Sequence, residues 1–346
     1  MKLTFFIFCL LSLIITADIK ANQLSDVSFS ADGGKILSRY RNKINVWETR
    51  TGKLLRTFET ETDGFKYAAF LPGGKTIFSV NGKAEMLWLD VETGESKNKI
   101  SGKTVYPYAI SADGETIAHA STLKNNDEEI IEFYDTANGK LKKSFQYPSN
   151  FFACLAFSPN GEKLLAVGDN VSVISLKTGK IEKSFDLRLP ILNCAVSARG
   201  DSVLGSTPVI TSDDNLQIFS LQNNQKYSGP KKEANGQIGD IGAVGYSPAD
   251  PDLAFAAGKN QQTDNKSDRG LLILWNTKSG NVKQTLKTVS PMASAAFSTD
   301  GKSILVQEVS GFLTLFNIET GAVIRKYPDK AEISSDSASK CLHKRN

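Results

Sequence analysis

The sequence predicts an all-β protein, a seven-bladed β-propeller of four-stranded antiparallel blades over residues 22–328. A first turn recurs at Asp32-Gly33, Gly73-Gly74, Asp113-Gly114, Asn160-Gly161, Arg199-Gly200, Ala249-Asp250 and Asp300-Gly301. A short apolar run, such as residues 27–30 or 295–298, precedes each copy. A second turn follows in step at Thr51-Gly52, Thr93-Gly94, Asn138-Gly139, Thr178-Gly179, Asn223-Asn224, Ser279-Gly280 and Thr320-Gly321. The copies lie roughly 40 to 50 residues apart, the period of a blade array.

Each copy reads as four short extended segments. In the first these are residues 27–30, 35–39, 44–49 and 53–58. Apolar and polar residues alternate within them, as in Ile44, Val46 and then Glu48, the pattern of half-buried antiparallel strands. Glycine and asparagine serve the turns because they accept positive φ at low cost. The third segment keeps a large side chain at one repeat position: Trp47, Tyr134, Ile174, Phe219, Trp275 and Phe316. In the second copy Leu89 holds that place and Trp88 is displaced by one residue, which predicts a bulge or slipped register there. A four-stranded sheet cannot bury both faces alone, whereas seven stacked around an axis bury them on one another.

The copies resemble WD40-type propeller repeats. The residues that carry this resemblance are Phe29-Ser30-Ala31-Asp32-Gly33 with Val46-Trp47-Glu48, Phe157-Ser158-Pro159-Asn160-Gly161, and Leu274-Trp275-Asn276. Two departures stand out. WD40 repeats commonly place a Gly-His pair before the first strand, hydrogen-bonded through Ser/Thr and Asp to the tryptophan. This chain holds only His119 and His343, neither after a glycine, so its blades are expected to rely on apolar packing. WD40 rings usually close by lending an N-terminal strand to the last blade. Here the seventh copy carries its own outer segment, residues 322–327, which predicts closure by blade-to-blade packing, with pairing of residues 22–26 at the seam left open.

The ends read differently. Residues 1–21 carry Lys2, an apolar run of about 13 residues and small residues at Ala17 and Ala21, the composition of a secretory signal peptide. That run is short of the ~20 residues a bilayer-spanning helix needs, so cleavage is expected, with no stable membrane insertion afterwards. The mature chain is expected to be exported, periplasmic or secreted. Residues 329–346 read as a disordered polar tail.

The formal charge is +4. Removing residues 1–21 takes away Lys2, Lys20 and Asp18 and leaves 39 basic against 36 acidic residues. So small a surplus gives no reason to expect nucleic acid as partner. Cys154, Cys194 and Cys341 remain. Aligned on Ser158 and Ser197, the first two are one residue out of phase and should point to opposite faces of their strands, which argues against a disulfide between them.

No catalytic constellation is present. One histidine in the repeat region cannot build a His/Cys metal cluster, and His119 reads as structural. Asp127-Glu128-Glu129 and Asp213-Asp214 read as solvated turn residues, and no nucleophile elbow, Walker loop or dinucleotide fingerprint occurs. No cofactor is implied. The insertions at 121–129, 229–242 and 258–270, and a more ambiguous one at 207–214, are all expected on the face that carries the second-to-third-strand connections and the crossings between blades. Loops on a rigid scaffold are where binding sites are usually placed.

Three consecutive crossings are apolar and proline-bearing, giving a candidate rim patch of Tyr106, Tyr108, Tyr147, Phe151, Phe152, Leu189 and Pro190. Its members either meet a protein or peptide partner or pack between blades. The sequence therefore points to a non-catalytic protein- or peptide-binding scaffold. The alternative is an exported propeller enzyme or cofactor protein of quinoprotein-like dehydrogenase or lactonase type.

Overall fold

The computed structural model describes residues 25–327 except 62, 102–106, 123–128, 148–151, 169, 188–190, 208–215, 223–225, 231–237 and 262–268. The expected signal peptide and polar tail lie outside the described residues. Seven antiparallel sheets follow one another, each of four consecutive strands, and no helix occurs among the described residues. Blade one is Ser25–Phe29, Lys35–Tyr40, Lys43–Glu48 and Leu54–Glu59. The first strands form the inner ring: Ser25–Phe29 touches both Phe65–Phe70 of blade two and Met292–Phe297 of blade seven.

Seven apolar clusters fill the seven junctions between blades. The pleat decides which junction each inner-strand residue enters. Counting back from the turn serine (Leu71 in blade two), the first and third residues face the preceding blade. Phe29 and Val27 do so in blade one, Phe157 and Leu155 in blade four. The second and fourth face the following blade, as Ala296 and Tyr67 do. The second position is always small (Ser28, Ala69, Ala109, Ala156, Ala195, Gly245, Ala296), because inner strands converging on the axis leave least room there.

The repeated large residues Trp47, Tyr134, Phe219, Trp275 and Phe316 are buried and pack toward the preceding blade. Trp47 meets Tyr327 of blade seven edge-on at 6.0 Å between ring centroids. The irregularity expected of blade two is shared. In six blades the ladder between third and fourth strands skips one residue of the fourth, namely Leu55, Lys97, Lys142, Glu182, Lys283 and Ile324. Leu89 therefore holds the same register as Trp47, and Trp88 turns to the other face. There it packs on Phe78, Tyr108 and Tyr134 in the junction with blade three.

The cysteines overturn the expectation from phase: Cys154 and Cys194 form a disulfide with Cα atoms 6.0 Å apart. Opposite faces of equivalent strands diverge within one sheet, but in stacked blades they confront each other. Cys154, the fourth residue before its turn serine, faces forward from blade four. Cys194, the third, faces backward from blade five, and both enter one cluster. Being one residue out of phase is what brings them together.

The Gly-His network has two substitutes. The turn serine donates from Oγ to the following carboxylate or amide oxygen at 2.5–2.7 Å: Ser30 to Asp32, Ser111 to Asp113, Ser158 to Asn160, Ser197 to Asp201 and Ser298 to Asp300. Its Oγ also accepts the N–H that opens the second strand, as from Lys35 at 2.9 Å. The other substitute spans blades. The third residue of an outer strand reaches carbonyls at the start of the next blade's second turn. Arg56 donates to Val91 O and Glu92 O, Asn98 to Ala137 O, Lys143 to Leu176 O, and Lys183 to Leu221 O.

Arg325 completes the ring by donating to Thr51 O and Arg50 O of blade one, each at 2.9 Å. Tyr327 adds a bond to Thr49 O at 2.8 Å, and Gln307 Nε2 one to Arg39 O at 3.2 Å. Val323–Tyr327 stays in its own sheet, so the ring closes by packing and caps. A fragment of the WD40 arrangement survives in blade one, where Trp47 Nε1 donates to buried Ser38 Oγ at 3.0 Å.

Candidate functional site

Strand boundaries separate two unlike faces. On one, the connections are residues 30–34, 49–53 and their repeats, nearly all five residues long; 247–252 is the exception. On the other, the second-to-third-strand connection ranges from residue 169 alone to 261–269, and the crossings from 289–291 to 229–237. All four insertions belong to this variable face. A backbone designed to be regular on one face and irregular on the other is a scaffold with one presenting surface.

The electrostatics agree. Displaced carboxylates belong mainly to turns of the uniform face. Serine hydroxyls hold the Asp32, Asp113 and Asp300 carboxyls below their ordinary value. Arg199, with Lys278, takes Asp252 to about 2. Perturbed groups mark a reactive cleft only where they converge, and these are spread round the disc holding turns. Among the described residues no three His, Cys, Asp or Glu side chains gather as a metal-binding group. His119 is fully buried in the second strand of blade three, stacked on Tyr108 at 4.4 Å. Glu129 is buried as well. Asp127, Glu128, Asp213 and Asp214 lie outside the described residues.

Of the predicted rim patch, Tyr108, Tyr147 and Phe152 are core. Tyr108 packs in the junction of blades two and three, and Tyr147 and Phe152 in that of three and four, their rings 6.4 Å apart. Tyr147 also donates to Gly179 O at 3.0 Å, and burial pushes its hydroxyl up to about 12. Packing between blades, the second of the two readings left open for them, is the one these three follow. Tyr106, Phe151, Leu189 and Pro190 lie outside the described residues.

Two features of the variable face were not read from the sequence. In blade six the inner strand Ile238–Tyr246 breaks register between Gly239 and Ala243. Asp240 there takes φ 40° and is exposed, while Gly242 lies so close to the Met292 and Ala293 carbonyls that a Cβ would stand 2.7 and 2.8 Å from them. In blade seven, exposed Val309 and Phe312 flank Ser310-Gly311 at a hairpin tip whose Gly311 lies against Tyr40 of blade one, and exposed Val289 sits on the adjoining crossing from blade six. The only sequence signal was an apolar residue on either side of Ser310-Gly311 at a hairpin tip.

No family model matches the chain. A relative at 22% identity over 172 residues is the WD repeat-containing protein SL1-17 of Schistosoma mansoni; the match takes in 49% of this chain and 52% of that protein, so the chain spans about half the length of the curated relative it matches. Together with seven four-stranded blades in a ring, this is consistent with a WD40-like propeller.

Proposed function

We propose that this protein is an exported, non-catalytic scaffold whose variable face holds another protein or a peptide. The observation that carries the reading is the confinement of insertions and crossings to one face of an otherwise uniform ring. The WD-repeat relative supports a propeller scaffold. The crossings that bear Tyr106, Phe151, Leu189 and Pro190 belong to the proposed contact surface, with Tyr108, Tyr147 and Phe152 as the core beneath. Export is supported by the leader-like composition of residues 1–21 and by the Cys154–Cys194 bridge, since disulfides persist in oxidising compartments.

The test is affinity capture from the native compartment with the full chain and two variants. One replaces residues 102–106 and 188–190 by Gly/Ser; the other carries Lys278→Glu and Lys302→Glu on the uniform face. The expected result is a captured protein lost with the first variant and retained with the second. Retention by both, or a stoichiometric quinone or calcium ion in the purified protein, overturns the reading.

A further inference from the structure

At six of the seven junctions, the chain itself crosses the variable face from the outer strand of one blade to the inner strand of the next: residues 60–64, 101–107, 148–151, 187–192, 229–237 and 289–291. Where crossings enter the next blade they plug the junction with an apolar side chain. Phe65, Phe152, Ile191 and Met292 are such plugs, all buried. Among the described residues no connection spans the seventh junction, where the last blade in the sequence meets the first.

Beside that seam, the hairpin tip of blade seven exposes two apolar side chains. Phe312 is 47% exposed and Val309 44%. They stand on a stiff platform. Val309 N donates to Pro291 O at 2.8 Å, Ser290 Oγ lies 3.0 Å from Ser310 Oγ, and buried Glu308 accepts from Ser290 N and Oγ. Gly311 lies against the Tyr40 ring of blade one, where an added Cβ would stand 3.0 Å away. The exposed Arg41 guanidinium sits over that ring, 5.1 Å from its centroid. Among the described residues no carboxylate pairs with Arg41.

We propose that this seam, within the peptide-binding reading above on which it rests, is a docking site for an extended segment of a partner protein. The segment carries a large apolar side chain next to an aspartate or glutamate. It would lie across the junction as the six internal crossings do, seating its apolar side chain on Phe312 and Val309 and its carboxylate on Arg41. Shape and charge both enter: the junction wants an extended apolar cover, and a cation stacked on tyrosine without an ion pair wants an anion. Arginine and aromatic side chains are also the usual anchors of such contacts.

The probe is a displayed library of random seven-residue peptides, selected on the full chain and counter-selected on the Arg41→Gln/Phe312→Ser double variant. Both substitutions are at exposed positions, and unchanged melting temperatures verify folding. The expected result is enrichment of peptides with Asp or Glu beside a large apolar residue. The best of them, synthesised with an amidated C-terminus, should bind about tenfold or more weakly to Arg41→Gln and to Phe312→Ser, with Phe312→Leu restoring binding. Equal enrichment on both proteins, or enriched peptides without an acidic residue, overturns the proposal.

Photocrosslinking with p-benzoylphenylalanine at position 312 identifies the occupant. Crosslinks to residues 328–346 of the same chain, or to a second copy, that the peptide does not displace would also overturn it. Capture of the native partner that persists in the double variant would sink the seam site and leave the looped-face reading standing.

Discussion

Replacing Cys154 and Cys194 together by alanine removes a covalent tie between the inner strands of blades four and five, leaving their neighbours Leu165, Val167, Ile191 and Val203 in place. The bridge joins residues 40 apart in sequence. Closing a loop of that length takes about 4 kcal/mol of chain entropy out of the unfolded state at 25 °C. A unit of roughly 300 residues unfolds with an entropy of about 0.6 kcal/mol per kelvin, so the melting temperature should fall by about 6 °C. Scanning calorimetry of the wild type and the double variant, each with and without dithiothreitol, measures this. Reductant should lower the wild type as the substitutions do and leave the variant unmoved. Thiol titration of the unfolded chain should rise by two on reduction. A shift below about 1 °C, or both cysteines titrating without reductant, would refute the reasoning that phase opposition across a junction brings them together.

Three further outcomes follow from named contacts. Trp47 Nε1 has a buried acceptor in Ser38, whereas Trp88 Nε1 and Trp275 Nε1 are buried without a partner; in urea denaturation Trp47→Phe should therefore cost about 1 kcal/mol more than Trp88→Phe or Trp275→Phe. Arg325→Met keeps the apolar stem but removes both bonds to blade one; it should cost about 1–2 kcal/mol and speed amide exchange first on the strands flanking the seam. The Asp252 carboxyl is depressed to about 2 by Arg199 and Lys278, against about 3.9 in an unfolded chain. A depressed carboxyl stabilises the fold above its unfolded value and loses that contribution as pH falls through its folded one. The stability of the wild type should thus decline between about pH 4 and 2, and Asp252→Asn should flatten that limb in melts run against pH.

Several elements were legible because they are local. A turn that must take positive φ shows its glycine, as at Gly33, Gly52 and their repeats, and strand alternation shows in the residues themselves. The serine before six of the seven first turns (blade two has Leu71) was visible too, although its role as a hydrogen-bond hub was not, since that depends on where the chain returns five residues later. Trp88 was seen to be out of step, but its meaning lay in a bulge on the neighbouring strand. The rim patch was half legible. Alternation marks Tyr108 and Phe152 as possible inward residues, yet whether a crossing lies over a junction or packs into it depends on the neighbouring blade. Tyr147 looked like a rim aromatic and proved to be the inner face of a junction.

The number of blades, their four-stranded make-up, the self-contained seventh blade and the face that bears the insertions could all be read along the chain. All of these follow from spacing and turn chemistry within one repeat. The stacking of blades set the Cys154–Cys194 bridge, the caps from Arg56 to Arg325, and the seam where Gly311 of blade seven meets Tyr40 of blade one. Each of these is a relation between one blade and the next, or between the last and the first. Side chains that point apart on aligned strands meet when the sheets stack, and a one-dimensional alignment of repeats carries phase but not that opposition.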